Sequence, residues 1–172
     1  MNAFETTSVD LNGKTVLVLA DLDFGIGNEL IAMLKALTAA QARAVVMSGL
    51  GDPRGDINPV LSLGSIAPEL KDATGRPVTF VSDCVGAIAE AGVGYVAHGA
   101  IALLENLRFH PGETRGERAF ANRLALLGDY FVDARSRPVA ATAASARVLP
   151  WLMPVLTPAE PDEPQFSLEG RS

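Results

Sequence analysis

Ala100-Ile101-Ala102-Leu103-Leu104-Glu105-Asn106-Leu107-Arg108-Phe109-His110-Pro111-Gly112-Glu113 decides how the chain is read. Its first five residues are wholly apolar, as a strand buried on both faces of a parallel sheet must be. Glu105, Asn106, Arg108 and His110 then emerge together. The carboxyl ends of parallel strands are where α/β sheets place their ligand chemistry.

Further strands are expected at residues 15–20, which are β-branched and apolar, and at 42–48, 78–81 and 130–132. Helical patterns lie between them. Leu30, Ile31, Leu34 and Leu37 form a stripe within 28–40, residues 65–74 form a second pattern, and a short segment around 87–91 a third. Residues 116–127 bury Phe120, Leu124 and Leu127, and residues 140–148 are rich in helix formers. This alternation predicts an α/β fold: a single doubly wound, mostly parallel, Rossmann-like sheet with helices on both faces. A length of 172 residues with 48% apolar composition suits one domain, placed at 8–154. Residues 155–172 are rich in proline and acid and are expected to be flexible or held by a partner.

A net charge of −6 and the lack of any basic run argue against nucleic acid and anionic membranes. No membrane insertion is expected from the hydropathy pattern, and residues 1–7 have neither the charge nor the apolar run of a leader. The single Cys84 fits a reducing compartment and reads as a packing residue; a cytoplasmic location is expected. His98 and His110 lack zinc-site spacing, and Asp21 and Asp23 read as hydrogen-bonded carboxylates before they read as Mg²⁺ ligands. No metal and no cofactor are expected. Gly25-Ile26-Gly27 reads as a tight turn, since it lacks the third glycine and ribose-binding acid of a dinucleotide fingerprint.

The opening stretch closely resembles the amino-terminal domain of the phosphoglycerate kinase family, and further segments follow in the family's order. Asp10-Leu11-Asn12-Gly13-Lys14-Thr15-Val16-Leu17-Val18 is similar to its first strand, and Val45-Val46-Met47-Ser48-Gly49-Leu50-Gly51-Asp52-Pro53 to its second strand and loop. Ser62-Leu63-Gly64-Ser65-Ile66-Ala67-Pro68-Glu69-Leu70 resembles the following helix. Pro77-Val78-Thr79-Phe80-Val81-Ser82-Asp83-Cys84-Val85-Gly86 resembles the third strand, and Leu127-Gly128-Asp129-Tyr130-Phe131-Val132-Asp133-Ala134 the fifth. The resemblance covers about residues 8 to 150, and no stretch resembles the family's nucleotide-binding half.

That resemblance implies a glycolytic phosphotransfer fold, but the departures fall on positions that hold phosphoglycerate in the family. Its Arg-x-Asp-x-Asn reads Leu19-Ala20-Asp21-Leu22-Asp23 here. The histidine and arginine of its second-strand loop are Gly49 and Asp52, and its His-Arg-Ala-His region aligns with Val139-Ala140-Ala141-Thr142. Arg108 alone remains of the substrate-phosphate arginines, with Arg135 and Arg137 as the nearest replacements. A phosphate needs several fixed cations or amide donors to offset its desolvation. The expected role is therefore a non-catalytic, pseudoenzyme-like binding or structural subunit, with Asp21, Asp23, Arg108, Arg135 and Arg137 as a residual substrate site. Two alternatives stay open: a split or atypical phosphoglycerate kinase whose nucleotide domain comes from another chain, and a small phosphorylated-metabolite binding module.

Leu149-Pro150-Trp151-Leu152-Met153-Pro154 lies where the family approaches the hinge to its second domain. Trp151, Leu152 and Met153 are expected to anchor another protein chain there, with Phe166 and Leu168 of the tail as a docking motif. Glu105 and Asn106 are expected to brace loops from inside the cleft.

Overall fold

The computed structural model describes residues 8–136, 142–158 and 166–169, so residues 1–7, 139–141 and Arg137 lie outside it. Five parallel strands, β1 (Thr15–Leu19), β2 (Arg43–Met47), β3 (Val78–Val81), β4 (Ile101–Leu104) and β5 (Tyr130–Asp133), pair in the order β3-β4-β2-β1-β5. All of β1 and β4 is buried, and so is β2 from Ala44 onward. These interior strands are the uninterrupted apolar runs of the sequence, because both of their faces are covered. The edge strands β3 and β5 mix buried with accessible positions.

Strand pleating sends alternate residues into two cores. Val16, Val18, Val46, Leu103 and Val132 pack with Leu30, Leu34 and Leu37 of α1 (Asn28–Ala39) and Leu70 of α2 (Ala67–Thr74). Leu17, Leu19, Met47, Leu104 and Phe131 pack on the opposite face with Val93 of α3 (Ala87–Tyr95), Phe120 and Leu124 of α5 (Arg118–Ala125), and Leu149 of α7 (Leu149–Leu152). Short helices α4 (Pro111–Thr114) and α6 (Ala144–Arg147) complete the set. Both faces are covered, as a doubly wound fold requires; each fully buried Leu or Val contributes roughly 1.5–3 kcal/mol.

Helix α3 extends to Tyr95, beyond the short segment expected around 87–91. A Cβ on Gly92 would lie 2.5 Å from Val81 Cγ1, so this glycine allows the helix to approach β3 rather than ending it.

Two short strands form in the described parts of the tail. β6 (Leu156–Pro158) pairs antiparallel with β7 (Phe166–Leu168), and Val155 bridges to Phe131 on the β5 edge. Leu156 and Phe166 enter the α1-side core. The proline and acid content averaged over the tail concealed two short apolar pieces that cap an otherwise open sheet edge.

Candidate functional site

The exits of β1, β2, β4 and β5 converge on a cavity of about 270 Å³, whose lining includes Asp21, Gly49, Arg108, Glu113, Arg135 and Ser145. Asn106, which lines a neighbouring cavity with Glu105 and His110, braces the loops beside it. Fully buried, it accepts hydrogen bonds at Oδ1 from Leu50 N (3.1 Å) and Arg108 N (3.0 Å) and donates from Nδ2 to Leu50 O (2.8 Å) and Leu61 O (3.0 Å). Glu105 accepts from Ser62 Oγ (2.7 Å) and Leu63 N (2.9 Å). Both residues brace the loops, as the sequence led us to expect.

The cap from Asn106 starts the 3-10 turn Leu107–Phe109 and sends Arg108 toward the β1 and β2 exits. There Arg108 Nη1 donates to Asp23 Oδ2 at 2.7 Å and to Gly51 O at 2.8 Å. Its guanidinium also lies across Gly49, where any Cβ would collide with Nε and Cζ. Asp23 Oδ1 accepts from Gly51 N at 2.7 Å, so one carboxylate ties both the arginine and the loop.

Arg135 is committed in the same way: its Nε and Nη2 reach the two oxygens of Asp133 at 2.9 and 2.6 Å. This fork raises the arginine pKa above its usual value, chiefly through the Asp133 hydrogen bonds, with Asp21 and Glu113 contributing further charge. Asp21 lines the cavity beside them. Asp52, expected to add a negative charge to the site, instead points into solvent 3.9 Å from Arg54, with 81% of its side chain exposed.

Glu113 is the cavity residue that the sequence reading passed over. It is buried and accepts hydrogen bonds from Ser145 N (3.0 Å) and Ser145 Oγ (2.5 Å), joining α4 to α6. Burial pushes its carboxyl above the usual range, against the opposing pull of Ser145 and the two arginines. Its signal was present at the end of the opening stretch, but nothing local marks a glutamate for burial.

The interface candidates separate. Met153 and Phe166 are 7% and 4% exposed and pack in the cores. Trp151 is 74% exposed and Leu168 47%, and with the half-buried Leu152 they line a surface depression of about 450 Å³. No helix among the described residues is long and apolar enough to cross a membrane.

The family model for phosphoglycerate kinase matches residues 6–154, most of the chain. The chain belongs to the phosphoglycerate kinase family. Phosphoglycerate kinase of Salinispora tropica is 39% identical over 161 residues, covering 84% of this chain and 40% of that protein. Phosphoglycerate kinase of Leifsonia xyli subsp. xyli is 45% identical over 136 residues, covering 71% and 34%. The crystal structure of phosphoglycerate kinase from Pyrococcus horikoshii shares the fold at a TM-score of 0.73 and 19% identity, covering 86% of this chain and 40% of that one. The chain thus spans about 40% of the length of such phosphoglycerate kinases. Gly49 makes room for the Arg108 guanidinium, and Asp23 pairs with it.

Proposed function

We propose that this phosphoglycerate-kinase-like domain is non-catalytic and serves as a binding or structural subunit of a larger assembly. The observation that carries the reading is the internal neutralisation of Arg108 by Asp23 and of Arg135 by Asp133. A phosphorylated substrate would have to break these pairs and would also face the buried Glu113. Phosphoryl transfer rests on fixed positive charge and positioning, so this arrangement withholds what the reaction needs.

The partner in this reading is another protein chain that seats on Trp151 and Leu168, in a cytoplasmic setting. A large aromatic beside an aliphatic residue in a shallow depression is the composition of an interface anchor. The test has two arms. Purified protein given ATP and 3-phosphoglycerate should form no ADP above background; turnover at an enzyme-like rate ends the non-catalytic reading. Native mass measurement after affinity capture should show a defined complex that Trp151→Asp dissolves, and a monomer in both cases removes the interface.

The relatives' names and the 40% span favour one other reading, a split phosphoglycerate kinase whose nucleotide domain is a separate chain. In that case the captured partner would bind ATP, and the complex would turn over 3-phosphoglycerate although neither chain did so alone.

A further inference from the structure

Parallel pairing of β3 with β4 places Val81 opposite Leu104, so the two strands release their chains side by side. Asp83 and Cys84 follow β3, and the 3-10 turn after β4 returns His110 toward them. His110 Nε2 lies 2.8 Å from Asp83 Oδ1. The Cys84 thiol completes a cluster in which a carboxylate oxygen, an imidazole nitrogen and a sulfur all lie within 4.8 Å of one another. Separation along the chain hid this trio from any reading of ligand spacing.

We propose that Asp83, Cys84 and His110 bind a borderline-soft divalent cation of the zinc class, with water as the fourth ligand. Zn–S bonds of about 2.3 Å and Zn–N or Zn–O bonds of about 2.0–2.2 Å place the ligand atoms of a tetrahedral site roughly 3.3–3.8 Å apart. That falls between the present Asp83–His110 separation and the outer span of the cluster. Uptake therefore needs the hydrogen-bonded pair to open by less than about 1 Å while the thiol is drawn inward. The metal replaces the thiol proton, which leaves to solvent, and the proton that Nε2 donates to Asp83 Oδ1, which passes through water to Nδ1; the S–H and Nε2–H bonds break, metal–sulfur, metal–nitrogen and metal–oxygen bonds form, and no electrons change hands.

The surroundings suit this chemistry. Asp83 and His110 line a cavity of about 520 Å³, distinct from the arginine-bearing one, which gives a route for the ion and its water. Cys84 N donates to Asp83 Oδ1 at 2.7 Å and orients the carboxylate, while the Phe120 ring, 5.4 Å from the imidazole centroid, packs beside His110. Glu105 also lines the cavity, but its oxygens are held by Ser62, Leu63 and Asn106, so it is not a free ligand. A single carboxylate with an imidazole and a thiol favours zinc-class ions over Mg²⁺ or Ca²⁺, which demand oxygen shells.

Cobalt titration of chelator-treated full-length protein tests the site. One equivalent of Co²⁺ should give a thiolate-to-cobalt charge-transfer band and the intense visible bands of four-coordinate cobalt. Zn²⁺ should abolish both signals and excess Mg²⁺ should not. Cys84→Ser should lose the charge-transfer band, and His110→Gln should weaken binding by about tenfold or more. Folded wild-type protein that shows no such band overturns the proposal, as does a band undiminished in Cys84→Ser.

Discussion

Arg108 Nη1 sits 2.7 Å from Asp23 Oδ2, so the guanidinium beside the β1 and β2 exits already has an anionic partner. Asp23 also accepts from Gly51 N, so its two oxygens do separate work. Asp23→Asn keeps an oxygen for Gly51 but removes the charge, whereas Asp23→Ala removes both contacts. Because the pair is partly exposed, the charge contributes only about 0–1 kcal/mol. Urea unfolding should therefore show a loss under about 1 kcal/mol for the asparagine variant and about 1 kcal/mol more for alanine.

Asn106 should be the least replaceable polar residue of the cleft. Asn106→Ala strands two amide donors and two carbonyl acceptors contributed by Leu50, Leu61 and Arg108. The expected loss is about 2–4 kcal/mol, read from denaturant midpoints, with little change in slope. A loss below about 0.5 kcal/mol would mean that water replaces the bracing without cost.

Glu113 makes a prediction with a definite sign. Burial holds its folded pKa above the ordinary glutamate value of about 4.5, so between these two limits the native state holds more protons than the unfolded chain. Stability contributed at this position is therefore greatest below about pH 4.5 and declines as pH rises through the raised folded pKa. Glu113→Gln removes the titration. The stability of the variant minus that of wild type should rise across that window and level off above it; a flat difference contradicts the assignment.

Two glycines of α3 should respond oppositely to the same change. Gly94 has nothing within 4 Å of an added Cβ, so Gly94→Ala should stabilise by about 0.5–1 kcal/mol through helix propensity. Gly92→Ala drives a methyl against Val81 and should destabilise by about 1–3 kcal/mol despite the same propensity gain. Thermal unfolding of both variants separates packing from propensity.

The sheet was legible because its central strands are unbroken apolar runs and the α1 stripe Leu30, Leu34 and Leu37 repeats at helical spacing. The site was legible only in its residue types. Arg108 and Asp23 could each be named, but their pairing across 85 residues depends on the turn that Asn106 caps. Glu113 and the Asp83–Cys84–His110 cluster escaped for the same reason: burial and convergence are properties of the assembled strand exits. The burial of Phe166 gave no signal because a short apolar residue set in a polar tail has no periodicity to reveal the core it joins.

Calorimetric titration of the purified protein with 3-phosphoglycerate at moderate ionic strength probes the central claim, that the cleft satisfies its own cations. The account predicts no saturable heat, corresponding to a dissociation constant weaker than about 1 mM. Tight, saturable binding that disappears in Arg108→Ala would show that the guanidinium leaves Asp23 for the ligand, and would contradict it.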